Sequence, residues 1–163
     1  MVPANPAKGS QVPVPATLCE RMFRWHLDPA TGVSEGRNFA DTRTGTGQLR
    51  LVVESVSDDS IRLRLEGAAK LENARRTLPV SYEPALLGYL TFDRARKSFT
   101  RFDLLALGEV KGSPGGENRQ GERIGTHLLG IAFELAGDGA SPPPRGARDN
   151  PDRYLAPKLA KAP

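Results

Sequence analysis

Residues 49–66 read LRLVVESVSDDSIRLRLE, and the alternation of apolar and charged side chains in this stretch decides the fold. The apolar residues recur at every second position on both sides of Ser57-Asp58-Asp59-Ser60, a group of good turn formers. A period of two is typical of a β-strand with one buried and one solvated face. We therefore predict an antiparallel hairpin. Its buried face would carry Leu49, Leu51, Val53, Ile61, Leu63 and Leu65.

The same alternation continues towards the C-terminus. Leu86, Leu90 and Phe92 share one parity, and after a charged turn Phe102, Leu104, Ala106 and Val110 share the parity of a further strand. A last strand over 128–135 would bury Leu129, Ile131, Phe133 and Leu135. Strands linked by hairpins and loops, without alternating helical segments, form an antiparallel meander. We predict a mainly β domain whose meander forms a small barrel or a curved sheet.

A short helix is predicted before these strands. Thr17 is a suitable N-cap and Glu20 follows three residues later, which is the spacing of a capping box. Apolar residues within 18–23 follow helical spacing, and Asp28-Pro29 would end the helix. A strand is the alternative, because the apolar residues at 19, 23, 25 and 27 share one parity.

The two ends of the chain differ in composition from its centre. Ten of the 14 prolines lie in residues 1–17 and 137–163, and proline lacks a backbone donor. We predict a disordered N-terminal segment at 1–16, a β-rich domain at 17–136 and an irregular, Pro-rich basic tail at 137–163. The glycine-rich residues 111–125 are predicted to form a long loop.

Charge argues against a nucleic-acid partner. The net charge of +4 divides into +1 for residues 1–17, +1 for 18–136 and +2 for 137–163. Nucleic-acid-binding domains concentrate Lys and Arg on one face. The central region is nearly neutral, so its charge gives no indication of such a face. No apolar run reaches the roughly 18 residues of a membrane span. The start lacks the regions of a signal peptide, so the chain as given would be cytoplasmic, and exported if its start is truncated.

No motif for catalysis or for a cofactor is present in the sequence. Cys19 is the only cysteine, which excludes an internal disulfide and a Cys-rich metal site. His26 and His127 lack the spacing of metal ligands. The motifs of hydrolases, phosphate-binding loops and zinc enzymes do not occur. We therefore predict no cofactor and no metal site.

Polar side chains occupy the parity opposite the predicted core. On the strand at 99–110 this parity holds Arg101, Asp103 and Glu109, interrupted by Leu105 and Leu107. If the strands are neighbours, one face collects the candidate ligand-binding residues Tyr89, Thr91, Arg101, Asp103 and Glu134. The simpler interpretation is a solvated face with weak ion pairs. The functional interpretation is a ligand-facing surface on which Arg101 recognises an anion.

Three functions are compatible with these patterns. The favoured one is a non-enzymatic binding or structural β-domain, whose partner is an unknown small ligand or protein. The first alternative is a hydrolase-like enzyme that uses Asp103, Glu109 or Glu134, and it requires a concave site. The second alternative is an accessory module that docks through its basic, Pro-rich tail.

Four further stretches of the sequence are LLGYLTFD at 86–93, FTRFDLLALGEV at 99–110, LGIAFEL at 129–135 and PPRGARD at 143–149. Together they resemble an uncharacterised family of bacterial, planctomycete-type β-rich proteins. No activity is attached to that family, so the resemblance transfers no site residue. It implies that exported homologues would change the expected compartment, and that segment 144–154 is a fixed part of the domain.

Overall fold

The computed structural model describes residues 6–27, 44–73, 80–111, 125–137, 148 and 151–155. Most of the loop predicted at 111–125 and most of the tail predicted at 137–163 lie outside these residues. Within them, no helix is both long and apolar enough to cross a membrane.

Six antiparallel strands form one sheet in sequence order. They are β1 (Gln11–Pro13), β2 (Thr44–Val56), β3 (Ser60–Asn73), β4 (Val80–Asp93), β5 (Ser98–Lys111) and β6 (His127–Glu134). Each strand pairs with its neighbour in sequence, which confirms the predicted meander. The sheet is open, with β1 and β6 at its edges, so the predicted barrel is not formed. An edge strand of three residues has too few backbone groups to close a barrel against β6.

The register places the predicted apolar residues on one face of the sheet. Leu51 lies opposite Leu65, Leu63 opposite Leu90, and the partly buried Phe133 opposite Leu104. The prediction is wrong for Leu135, which is 44% exposed. The reason is that β6 ends at Glu134, so Leu135 no longer follows the alternation of the strand.

Helix α1 (Ala16–Trp25) covers this face, so the helix is confirmed and the strand interpretation of these residues is wrong. The predicted capping box does not form. The N-cap is Pro15, with no side-chain cap, and Thr17 lies inside the first turn. Pro15 follows β1 almost directly and has φ −52° and ψ 135°, so the chain turns into the helix earlier than the Thr17 signal indicates.

Part of the segment predicted to be disordered, residues 11–13, forms the edge strand β1. Gln11–Pro13 pair with Arg50–Val52, and the buried Val14 donates a 2.9 Å hydrogen bond to the Leu49 carbonyl. Prolines suggested disorder here, but an edge strand tolerates a proline whose missing N–H would face away from the sheet. A short helix α2 (Pro151–Leu155) lies within the predicted tail.

The hydrophobic core lies between α1 and the covered face of the sheet. Leu27, Leu51, Leu63, Tyr82 and Leu90 are each at most 1% exposed. The Tyr82 hydroxyl lies 3.1 Å from the Leu129 carbonyl and 3.3 Å from the Ala106 carbonyl, so it links β4 to the two strands beyond it. Burial also raises the pKa of this phenol. The opposite face of the sheet, which we call the outer face, is turned away from α1.

Candidate functional site

The register brings the five predicted site residues together on the outer face. Tyr89 lies opposite Asp103 and Thr91 opposite Arg101 across β4 and β5, while Glu134 lies opposite Asp103 across β5 and β6. Arg101 and Asp103 form an ion pair, and their side chains are 59% and 51% exposed. Exposed pairs of this kind contribute at most about 1 kcal/mol to stability. The Arg101 guanidinium therefore already has an anionic partner, which weakens its interpretation as an anion site.

Leucines occupy the centre of the outer face. Leu87 lies opposite Leu105 and Ala85 opposite Leu107, and β6 adds Ala132 beside Leu105 and Gly130 beside Leu107. We call these six residues the apolar stripe. Leu87, Leu105 and Leu107 are 49, 48 and 49% exposed. Apolar side chains exposed next to one another mark interaction sites more often than scattered ones do.

Two further exposed side chains extend the apolar stripe. Tyr89 lies two residues beyond Leu87 on β4 and is 42% exposed. Leu128, near the start of β6, is 72% exposed. The exposed apolar surface thus crosses three neighbouring strands.

Small residues leave the leucines of the apolar stripe uncovered. A Cβ added at Gly130 would lie 3.6 Å from Leu107 Cδ1 and 4.0 Å from Leu105 Cδ1, which are ordinary van der Waals contacts. At Gly88 and Gly108 an added Cβ would instead lie 2.5 and 2.2 Å from backbone oxygens. Packing in the described residues therefore requires glycine at 88 and 108 but not at 130, where a larger side chain would shield the two leucines.

Carboxylates flank the apolar stripe at both ends. Asp103 lies directly opposite Glu134, and Glu83 lies directly opposite Glu109. We call these two pairs the carboxylate rims. Like charges directly opposite across two strands are destabilising, so the sheet alone does not explain either rim.

The nearest cations interact along their own strands. Arg101 pairs with Asp103, and Lys111 Nζ lies 3.9 Å from a carboxylate oxygen of Glu109. Lys70 Nζ lies 2.7 Å from Glu72 Oε1, and this hydrogen bond raises the pKa of the Lys70 ammonium. The cations therefore do not bridge the two members of either rim.

A cleft of about 910 Å³ lies elsewhere, between β1, the start of α1 and the paired strands β2 and β3. The Cys19 thiol lines it and donates a 3.7 Å hydrogen bond to the Val14 carbonyl. Burial raises the pKa of this thiol, and the nearby backbone amide of Leu49 offsets part of the rise. The charged residues that line the cleft, Arg50 and Glu66, form an ion pair in which Arg50 Nη2 lies 2.6 Å from Glu66 Oε1. None of the five predicted site residues lines this cleft.

An aromatic cluster joins α2 to the end of α1. The Tyr154 hydroxyl lies 3.1 Å from His26 Nε2, and the Tyr154 and Trp25 rings meet edge to face with centroids 6.3 Å apart. Burial lowers the pKa of His26, and the positive charge of Arg21 lowers it further. Cys19 and His127 are not part of this cluster. Among the residues that the structure describes, no group of His, Cys, Asp and Glu could hold a metal ion.

The sequence prediction named polar residues of this face and missed its apolar centre. Leu105 and Leu107 were visible as interruptions of the polar parity on β5, and that interruption was the signal that could have found it. Leu87, Leu128 and Glu83 become part of the surface only when the register of three strands is known.

Comparison with known proteins adds no relative: no protein-family model, curated protein or solved structure matches this chain. Inferences about function therefore come from the geometry of the outer face, the cleft and the aromatic cluster.

Proposed function

We propose that this chain is a non-enzymatic binding domain that recognises a protein partner through the outer face of β4, β5 and β6. The observation that carries the proposal is the apolar stripe, in which three leucines about half exposed are neighbours across strands. Protein interfaces combine such an apolar centre with a polar rim. Covering the stripe would remove apolar surface from water, a favourable contribution of roughly 25 cal/mol for each Å² buried that opposes the entropic cost of association.

A protein fits this surface better than a small ligand does. Small-ligand sites are concave and bury most of the ligand surface, whereas the stripe lies on an exposed sheet face. The cleft beside Cys19 is concave, but its charged groups Arg50 and Glu66 are bonded to each other. Specific recognition of a small ligand needs convergent polar groups that are available to it, so a small-ligand site has less support.

A hydrolytic activity and docking through the tail also have weaker support. Asp103 forms an ion pair with Arg101, and Glu109 and Glu134 share its exposed sheet face, whereas a hydrolytic site is concave and encloses its substrate. Docking through the tail would use residues 137–163, but Tyr154 of this segment packs against Trp25 and His26 of the same chain.

Site-specific photo-cross-linking tests the proposal. In the full chain, Leu105 is replaced by a photo-reactive phenylalanine analogue. This variant is expressed in the cells that naturally make the protein, and the cells are then irradiated. We expect one or a few discrete protein adducts, because a bound partner would cover this side chain. Mass spectrometry identifies the adducts, and the additional substitution Leu87→Ser should abolish them.

Val56 provides the matched control position. It is also an exposed aliphatic residue, 40% accessible, but it lies at the end of β2, away from the apolar stripe. The analogue at Val56 should give no such adduct. Equal adducts at both positions, or none at Leu105, would contradict a partner on the outer face.

A further inference from the structure

The carboxylate rims carry information about the charge of the partner. In each rim two negative side chains lie directly opposite each other, Asp103 with Glu134 and Glu83 with Glu109. Replacing one member of each pair by Lys or Arg would turn a repulsive cross-strand pair into an attractive one. A surface that retains both repulsive pairs is suited to positive charge supplied from outside.

The two rims have a defined spacing. Asp103 and Glu109 are six residues apart on β5, which corresponds to about 20 Å in an antiparallel strand. Leu105 and Leu107 lie between them on the same face, so the order along β5 is carboxylate, leucine, leucine, carboxylate. The apolar stripe therefore lies between the two carboxylate rims.

Part of this negative charge has no compensating ion pair. Within the described part of the chain, no ion pair involves Glu134 or Glu83. The hydrogen bond to Glu72 is the main cause of the raised pKa of the Lys70 ammonium, and the charge of Glu83 is the last of the contributing causes. Each rim thus presents one carboxylate that a partner can pair with.

We infer that the partner is a polypeptide segment with an apolar centre flanked on both sides by Lys or Arg, with the two cationic groups about 20 Å apart along the direction of the strands. This inference rests on the proposed function, because it assigns the chemistry of the partner at the same outer face. Charge complementarity carries it: the leucines bury the apolar centre while Glu83 and Glu134 pair with the flanking cations. The same carboxylates would repel the phosphates of a nucleic acid or an anionic lipid surface.

Selection from a random peptide library tests the inference. Phage-displayed peptides of about 16 residues, long enough to span about 20 Å as a helix or a strand, are selected on the full chain. We expect the enriched peptides to carry Lys or Arg on both sides of an apolar centre. Synthetic copies should bind more weakly as salt rises, since exposed charge pairs are screened.

Two double variants separate the claim that the leucines bury the apolar centre of the peptide from the claim that the carboxylates pair with its cations. Leu105→Ser/Leu107→Ser should abolish binding of the selected peptides. Glu83→Gln/Glu134→Gln should weaken it roughly fivefold and reduce its salt dependence, because two exposed ion pairs are lost. The matched control Asp58→Asn/Asp59→Asn removes two carboxylates from the β2–β3 turn and should leave affinity unchanged. Urea unfolding confirms that each variant is folded, and Leu105→Lys replaces the leucine double variant if that variant is unfolded.

The outcomes are distinguishable. Peptides that require the leucines but have neutral or acidic flanks, and bind Glu83→Gln/Glu134→Gln as tightly as the wild type, would overturn the charge inference and leave the proposed function standing. If no peptide is enriched, or every enriched peptide binds Leu105→Ser/Leu107→Ser normally, both are overturned.

Discussion

At the scale of single residues, His26 couples stability to pH. Its pKa in the folded chain lies below the ordinary value of 6.5, because burial and Arg21 both disfavour the charged ring. At acid pH the unfolded chain therefore binds a proton at His26 more readily than the folded chain does. The contribution of neutral His26 is fully present above about pH 6.5 and declines as the pH falls towards the lower, folded-state pKa.

We predict that His26→Gln reduces the pH dependence of stability. Urea unfolding of the wild type should give a smaller free energy of unfolding at about pH 5.5 than at about pH 7.5, and the variant should show a smaller difference. His127 is exposed at the start of β6, so His127→Gln should keep the wild-type difference. If His26→Gln shows the full wild-type difference, His26 is not the responsible group.

At the scale of the strands, Gly108 on β5 occupies a position at which an added side chain would meet the backbone of β4. A Cβ at Gly108 would lie 2.2 Å from the Glu83 carbonyl oxygen and 2.5 Å from Pro84 Cα, and both are backbone atoms that the sheet holds in place. Gly108→Ala should therefore destabilise the fold by about 1–3 kcal/mol, the usual range for overpacking. Chemical unfolding measures the loss.

Gly130 on β6 is the matched control for that substitution. Its added Cβ would meet only side-chain atoms at 3.6 Å or more, and alanine restricts the unfolded chain more than glycine does. Gly130→Ala should be neutral or stabilise the fold by up to about 1 kcal/mol. Similar losses for the two variants would show that close backbone approach is not what requires Gly108.

At the scale of the whole molecule, Tyr154 connects a segment near the C-terminus to α1. Trp25 is 4% exposed, and Tyr154 is the side chain that packs on it in its cluster. Because Trp25 is the only tryptophan, the tryptophan fluorescence reports the surroundings of this one side chain. Tyr154→Ala should shift the emission to longer wavelength and increase quenching by acrylamide, since water gains access to the indole ring.

Tyr89→Ala is the control for the fluorescence experiment. Tyr89 is 42% exposed on the outer face, on the side of the sheet away from α1, so its removal should leave the emission unchanged. An unchanged spectrum for Tyr154→Ala would mean that α2 does not shield Trp25 in solution.

The strands were predictable because their signal is local. In β2 and β3 the alternation of residues such as Leu51 and Leu63 with arginines reports which face is buried, and a period of two needs no knowledge of the partner strand. The start of α1 was less predictable. Pro15 lies among prolines that favour disorder, yet it forms the N-cap, and the pairing of β1 with β2 that places it there is a contact between distant residues.

The sequence by itself determined the five strands β2 to β6, the buried parity of most of their residues, and the two hairpins that follow from the short β2–β3 and β4–β5 connections. Only the tertiary structure decided that the sheet stays open and that Leu87, Leu105 and Leu107 meet on one exposed face between two acidic rims. Those neighbours depend on register, which shifts at the irregularity between Thr91 and Phe92 in the β4–β5 pair. Periodicity identifies the face on which a side chain lies, but hydrogen bonding between strands sets which side chains lie beside it.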